Sequence, residues 1–199
     1  MNCIKIAVFL ILSLTIGSQV SGQSLYSRTG HINVLSKNKI KKVEADNYQV
    51  YSTVDLTTGD VVFEGLLKSF EFKLGAADRV FSSDKVNVKQ YPKIKFEGKI
   101  PPTQIDLNEY GETEVEVDGT LYLWDEKRRT KAKVKITSIG DGKQVFAYSS
   151  FLMRIEEASM AKLNQIMKDK LPSVINISTE TLGVSRDIIV NLDATYKVK

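Results

Sequence analysis

Residues 68–100 set the pattern that the chain repeats. Phe70, Phe72 and Leu74 share one parity, while Ser69, Glu71 and Lys73 take the other. Further on, Ile94 and Phe96 alternate with Lys93, Lys95 and Glu97. Period-two alternation puts one set of side chains on each face of a strand, so one face is apolar and one is wet. The spacing predicts strands over 68–74 and 93–100. Tyr91 stands before Pro92 and so avoids the helical region, which leads the chain extended into the second strand. The intervening 75–90 holds no sustained period. Residues 76–81 suit a short helix or turn that carries Phe81.

The same alternation recurs over 30–35, 48–54, 61–67, 112–123, 131–139, 145–155 and 187–199. In 48–54, Tyr48, Val50, Ser52 and Val54 share one parity. In 112–123, Val115, Val117, Gly119, Leu121 and Leu123 do so, and a glycine inside a strand predicts a bulge or bend there. Asp55 to Asp60 reads as a turn, with Asp and Thr closing local hydrogen bonds and Gly59 supplying positive φ. Asp141-Gly142 is a second turn signal. Only 156–171 changes period: Met160, Leu163, Met167 and Leu171 fall at helical spacing, and Pro172 ends the run. About eight antiparallel strands with one late helix make an all-β sandwich or barrel. No linker divides it.

Composition and the N-terminus narrow the picture. Lys5 followed by the apolar run 6–16 and a close at Val20-Ser21-Gly22 predicts a secretory signal peptide over 1–22, with a single domain over 23–199. The mature protein is then expected to be exported, periplasmic or secreted, without a membrane span. Signal removal would also remove Cys3, the only cysteine of the 199-residue chain, so no disulfide is expected. The formal net charge is +4, but cations are interspersed with acids. The densest run, Lys127-Arg128-Arg129, reads as a solvated turn and strand face, and no nucleic-acid footprint is expected.

Catalytic chemistry is thin. His31 is the single histidine, and it reads as a structural residue beside Asn33. A metal site has too few soft or imidazole donors. Neither a nucleophile elbow nor a glycine-rich phosphate loop is present. Glu114, Glu116 and Asp118 lie on the wet parity of a strand. No catalytic residue, metal or cofactor is expected.

Several segments occur in an order that resembles the YceI-like family of exported bacterial proteins, in a Bacteroidetes-type form. They are Thr29-Gly30-His31-Ile32, Glu44-Ala45-Asp46-Asn47-Tyr48, Asp55-Leu56-Thr57-Thr58-Gly59, Lys68-Ser69-Phe70-Glu71-Phe72, Tyr91-Pro92-Lys93-Ile94-Lys95-Phe96-Glu97-Gly98 and Val117-Asp118-Gly119-Thr120-Leu121. The resemblance implies a lipocalin-like antiparallel β-barrel that holds a polyisoprenoid or another amphiphilic lipid. Two positions depart from the family pattern: Val80 stands where a His commonly precedes the linker Phe, and Trp124-Asp125 stands where His-Gly is usual.

The expected ligand is an isoprenoid or fatty-acyl amphiphile, bound by the apolar interior. The candidate lining is Phe63, Phe70, Phe72, Phe81, Phe96, Leu121, Leu123 and Met153. Burying an apolar chain gains about 0.8 kcal/mol per methylene, so a tail could bind without polar contacts. The alternative is a dry-cored envelope protein, with Tyr51, Tyr122 and Trp124 as an exposed partner patch. The helix over 156–171 would either cover the barrel mouth or pack on its outer wall.

Overall fold

The computed structural model describes residues 24–39, 41–81, 91–101, 111–124, 126–139, 144–170 and 178–198. The segment 1–22, read as a signal peptide, lies outside them, as do 82–90 of the linker and the Asp141-Gly142 turn. The strands are β1 (Ser24–Lys37), β2 (Lys42–Asp55), β3 (Asp60–Leu66), β4 (Glu71–Phe72), β5 (Lys93–Lys99), β6 (Gly111–Leu123), β7 (Glu126–Ile139), β8 (Gln144–Arg154) and β9 (Asp187–Val198). The helices are α1 (Gly75–Phe81), α2 (Glu157–Lys170) and α3 (Thr179–Leu182).

The sheet runs β1-β9-β8-β7-β6-β5-β3-β2, and β1 also pairs with β2. That last pairing closes an eight-stranded antiparallel barrel, with β4 a two-residue addition to β2. The alternation read from the sequence orients the wall. Ile94 and Phe96 of β5, Val115, Val117 and Leu121 of β6 and Val190 of β9 are all buried in one core. The opposite parity carries ladders of opposite charge between β6 and β7, where Lys131 meets Glu116 and Lys135 meets Glu112 at 2.9 and 2.8 Å.

Two expectations are corrected. Residues 68–74 do not form a regular strand. Leu67–Ser69 make a 3₁₀ turn, and only Glu71 and Phe72 pair with β2. The chain must leave the wall here to reach α1, and the Leu67 N–H bonds the Pro92 carbonyl at 2.8 Å as it does so. Tyr48 does not share a face with Val50, Ser52 and Val54. The β1–β2 register shifts between Gly30 and Ile32, whose partners are Val50 and Asn47, and the extra β2 residue reverses the parity. Asn47 wedges this bulge. Its amide donates to the Leu66 carbonyl and its oxygen accepts from the Gln49 N–H, each at 2.8 Å. Tyr48 is thereby turned outward.

The Asp55 turn forms as its chemistry requires. The Asp55 carboxylate accepts from the N–H groups of Thr57 and Thr58 at 2.8 and 2.9 Å, and Gly59 takes φ 77°.

Gly98 and Gly119 lie directly opposite each other on β5 and β6. The Phe96 ring fills the notch they leave. A Cβ at Gly119 would fall 2.4 Å from Phe96 Cζ and 2.5 Å from the Glu97 carbonyl oxygen. The backbone oxygen cannot rotate away, so Gly119→Ala is expected to destabilise the fold by about 1–3 kcal/mol, as overpacking does. An unchanged denaturant midpoint for that variant would refute this packing account.

Candidate functional site: an apolar barrel interior under a helical lid

The inner wall leaves two apolar chambers. The first, of ≈70 Å³, lies at the end of the barrel where β1 starts and β9 finishes, and is lined by Leu25, Phe63, Phe96, Val117, Val145 and Tyr196 among others. Its one buried hydroxyl pair is satisfied: Tyr196 Oη and Ser52 Oγ are 2.7 Å apart. Burial pushes the Tyr196 hydroxyl up to about 12. The second chamber, of ≈120 Å³, lies at the other end, lined by Phe70, Phe72, Phe81, Leu123, Trp124 and Met153 among others.

An aliphatic belt of Ile32, Val50, Leu121 and Val190 separates the two. On each of β1, β2, β6 and β9 the belt residue stands between a residue of one chamber and a residue of the other. The candidate lining residues therefore divide. Phe63 and Phe96 face the first chamber. Phe70, Phe72, Phe81, Leu123 and Met153 face the second, and Leu121 sits in the belt.

Phe81 of α1 and Leu163 of α2 close the second chamber. A separate core of Val43, Ala77, Leu163, Leu182 and Val184 ties α1, α2 and α3 to the barrel end. Phe72 and Phe81 stack at 4.6 Å with an 11° interplanar angle, an arrangement worth about 0.5–1.5 kcal/mol beyond area burial. Of the two positions the sequence left open for the late helix, the mouth is the one occupied. Trp124 is tucked beneath this lid and does not join an exposed patch. Tyr51 is exposed on β2, and Tyr122 is partly covered by the Lys127 ammonium 5.6 Å from its ring.

Trp124 opens the β6–β7 hairpin at φ 55°. A bulky residue in the left-handed region is strained by roughly 1–2 kcal/mol. The conformation aims the indole at the chamber.

Between β7 and β8 the wall is incomplete. Pairing of β7 with β8 ends at Val134 and Ser149. Beyond that point 126–133 of β7 and 150–154 of β8 have no ladder between them. Ser149 Oγ donates to the Lys133 carbonyl at 2.8 Å where the strands part. The resulting lateral seam is lined by Leu121, Leu123, Trp124, Arg128, Met153 and Ile155, with Glu126 and Arg154. Arg128 is opposite Leu121 on the inner face. It donates to Glu156 at 2.7 Å and to Glu126 at 3.3 Å. Glu126 also accepts from Ser159 of α2.

His31 lies outside the barrel. Its Nδ1 is 2.9 Å from Asp193 of β9 and its Nε2 is 3.0 Å from Asp46 of β2, and its ring stacks on Tyr48 at 4.5 Å. Both nitrogens are engaged with carboxylates, so neither is left to activate a hydroxyl. Among the described residues, no group of three or more His, Cys, Asp or Glu side chains is placed to hold a metal ion. No described helix is long and apolar enough to cross a membrane.

The same fold recurs in solved structures. A polyisoprenoid-binding domain from Saccharophagus degradans aligns over 89% of this chain and 99% of its own, with a TM-score of 0.70 and 12% identity. Burkholderia cenocepacia BcnA aligns over 83% and 95%, with 0.57 and 14%. A Campylobacter jejuni YceI protein aligns over 81% and 88%, with 0.55 and 17%. The fold is that of the YceI proteins. No protein-family model matches the chain, and no curated protein matches it by sequence.

Within this barrel, one inward residue escapes the sequence reading. Lys127 and Arg129 are exposed as a solvated hairpin requires, but Arg128 between them points inward. The signal was available: Arg128 shares the parity of Ala132, Val134 and Ile136, so extending the β7 alternation toward its start places it inside.

The clasp around His31 makes stability pH-dependent. Lys42 and Lys73, with help from Asn33, hold the Glu44 carboxyl at about 2 against burial. Burial is the largest influence on Asp46 and raises it, but hydrogen bonds from Asn33 and His31 with the Lys73 charge outweigh it and hold Asp46 low. Carboxyls depressed by folding contribute stability above their ordinary range and lose it as they protonate. The Glu44 contribution is complete above its ordinary 4.5 and lost as the pH falls toward about 2. Glu44→Gln should flatten the loss of urea midpoint across that interval; an identical slope in the variant would show that the clasp carries no such linkage.

Proposed function

We propose that this chain is a YceI-like protein whose barrel binds the apolar tail of an amphiphile, an isoprenoid or fatty-acyl chain, without catalysing a reaction on it. The observation that carries the reading is the second chamber. Its lining is aromatic and aliphatic, it lies beneath a helical lid with its own small core, and the side wall beside it is open. The named ligand class of the Saccharophagus domain, which shares the fold, points the same way.

The two chambers measure ≈70 and ≈120 Å³, below the roughly 300 Å³ at which ligand pockets begin. A long tail must therefore part the belt and join them. The belt is made of aliphatic side chains, and its displacement exchanges one apolar contact surface for another. The tail would recover about 0.8 kcal/mol per methylene removed from water. The same small volumes favour a second reading, a dry barrel that serves as a structural or interaction protein of the envelope.

Trp124 is the only tryptophan of the sequence and lines the second chamber, so it reports occupancy directly. Titration with geranylgeraniol is expected to give a saturable shift of tryptophan emission, and solvent extraction of protein purified from its own host is expected to release a lipid detected by mass spectrometry. A silent titration together with an empty extract would leave the dry barrel.

We further propose that residues 1–22 direct export to the periplasm or beyond. N-terminal sequencing of the mature protein should then begin near Gln23, and an intact Met1 in the exported fraction would overturn it.

A further inference from the structure

We propose that Arg128 is the head-group site of the barrel: it binds the anionic head of an amphiphile at the β7–β8 seam, in the place now taken by the Glu156 carboxylate. The inference rests on the tail-binding reading above and adds where the head lies and what charge it carries.

The two chambers give a head group nothing to bind. Every buried side-chain nitrogen and oxygen among the described residues already has a partner. A polar head must therefore stay at an opening. At the seam Arg128 stands on the inner face, directly across from Leu121, with Leu123 and Met153 beside it. The guanidinium thus sits where an apolar path meets solvent.

Its present partners are unequal. Glu126 is one-quarter exposed, accepts from Ser159, and is the weaker partner at 3.3 Å. Glu156 is 63% exposed and makes the shorter bond, 2.7 Å. Glu156 is therefore the exchangeable carboxylate, and an arriving anion replaces it charge for charge. Guanidinium matches carboxylate and phosphate oxygens in the same forked geometry, so either head would fit.

The exchange has a mechanical consequence. Glu156 immediately precedes α2, and its bond to Arg128 ties the start of the lid to β7. An anion that takes Arg128 frees that tie and leaves Ser159–Glu126 as the remaining link of those two. Trp124 lines both the seam and the second chamber, so a tail entering behind the head passes the indole. Arg154 also lines the seam but is directed to Asp187, 3.6 Å away, on the outer side.

The test compares probes with one tail and different heads: geranylgeranyl phosphate, geranylgeraniol and, for a carboxylate head, geranylgeranoate, each followed by Trp124 emission in the full mature chain. Wild type is expected to prefer the phosphate to the alcohol. Arg128→Gln should weaken the phosphate about tenfold, as loss of a charge-assisted bond does, and leave the alcohol unchanged. Arg128→Lys should restore part of the preference. Glu156→Gln should tighten the phosphate several-fold by removing its competitor, and this variant keeps the proposal testable where Arg128→Gln folds poorly. Geranylgeranoate weakened in parallel by Arg128→Gln assigns a general anion site; an effect on the phosphate alone assigns a phosphate site. Alcohol binding with no selective effect of Arg128 or Glu156 on either anion overturns the head-group site while leaving the barrel reading intact. Failure of every probe to move Trp124 overturns both.

Discussion

The pairing of β1 with both β2 and β9 is the constraint on which the molecule depends. A closed wall has no free edges, so every backbone donor and acceptor in it has a neighbour to bond, and every residue is committed to the inside or the outside. Closure is fastened from outside by side chains. His31 of β1 reaches Asp46 on one neighbouring strand and Asp193 on the other, and Asn33 repeats the bridge, donating to Asp46 and accepting from Asn191. The bulges in β1 and β2 serve this clasp, because the reversed parity turns Tyr48 out to stack on His31. The segments that resemble the YceI-like family around Gly30 and Asn47 encode this irregular junction, where alternation alone would not specify a register.

The same constraint is relaxed along the β7–β8 seam. Lost backbone bonds there are replaced by side chains: Ser149 to the Lys133 carbonyl, Arg128 to Glu126 and Glu156, Ser159 to Glu126. An inward arginine is tolerable only at such an opening. A charge enclosed in either apolar chamber without partners would cost several kcal/mol, whereas at the seam it keeps one exposed carboxylate and part of its hydration. The lid is attached to the barrel through the same residues, so the gap in the wall and the cover over the mouth are parts of one arrangement.

How much of this could be read beforehand depends on what alternation can encode. The inward sets of β5, β6 and β9 were plain, because each strand has one wet and one dry face. Residues 68–74 alternate equally well yet are mostly not strand. Phe70 and Phe72 are covered by the lid chamber on one side, and periodic burial under helices is indistinguishable in sequence from periodic burial in a sheet. The pattern cannot place Tyr48, because a bulge is a property of two strands in register and one strand cannot announce it. Arg128 reads as solvated because the alternation is clear only from 131, three residues past it. The candidate lining residues do point inward, but their division between two chambers depends on which strand positions stack across the barrel, and that is set by shear rather than by local pattern.

The placement of the irregularities discriminates between a barrel that merely fills itself and one that admits a guest. A self-filling barrel gains by continuing the β7–β8 ladder and by carrying an aliphatic residue at position 128, since each adds burial or backbone bonding at no cost in fit. It also gains by relaxing the Trp124 backbone, for which a glycine or asparagine would remove the strain. None of the three is done, and all three fall beside the second chamber, around Leu123 and Met153. The first chamber has a break of its own, since β1–β9 pairing skips from Tyr26–Lys197 to His31–Asp193, but it encloses a satisfied Tyr196–Ser52 pair. A strained indole and an inward arginine beside an unpaired seam are the arrangement expected of a site kept open against the tendency of an apolar interior to close. On the tail-binding reading, a guest enters at the end with the lid and must part the belt of Ile32, Val50, Leu121 and Val190 to reach deeper.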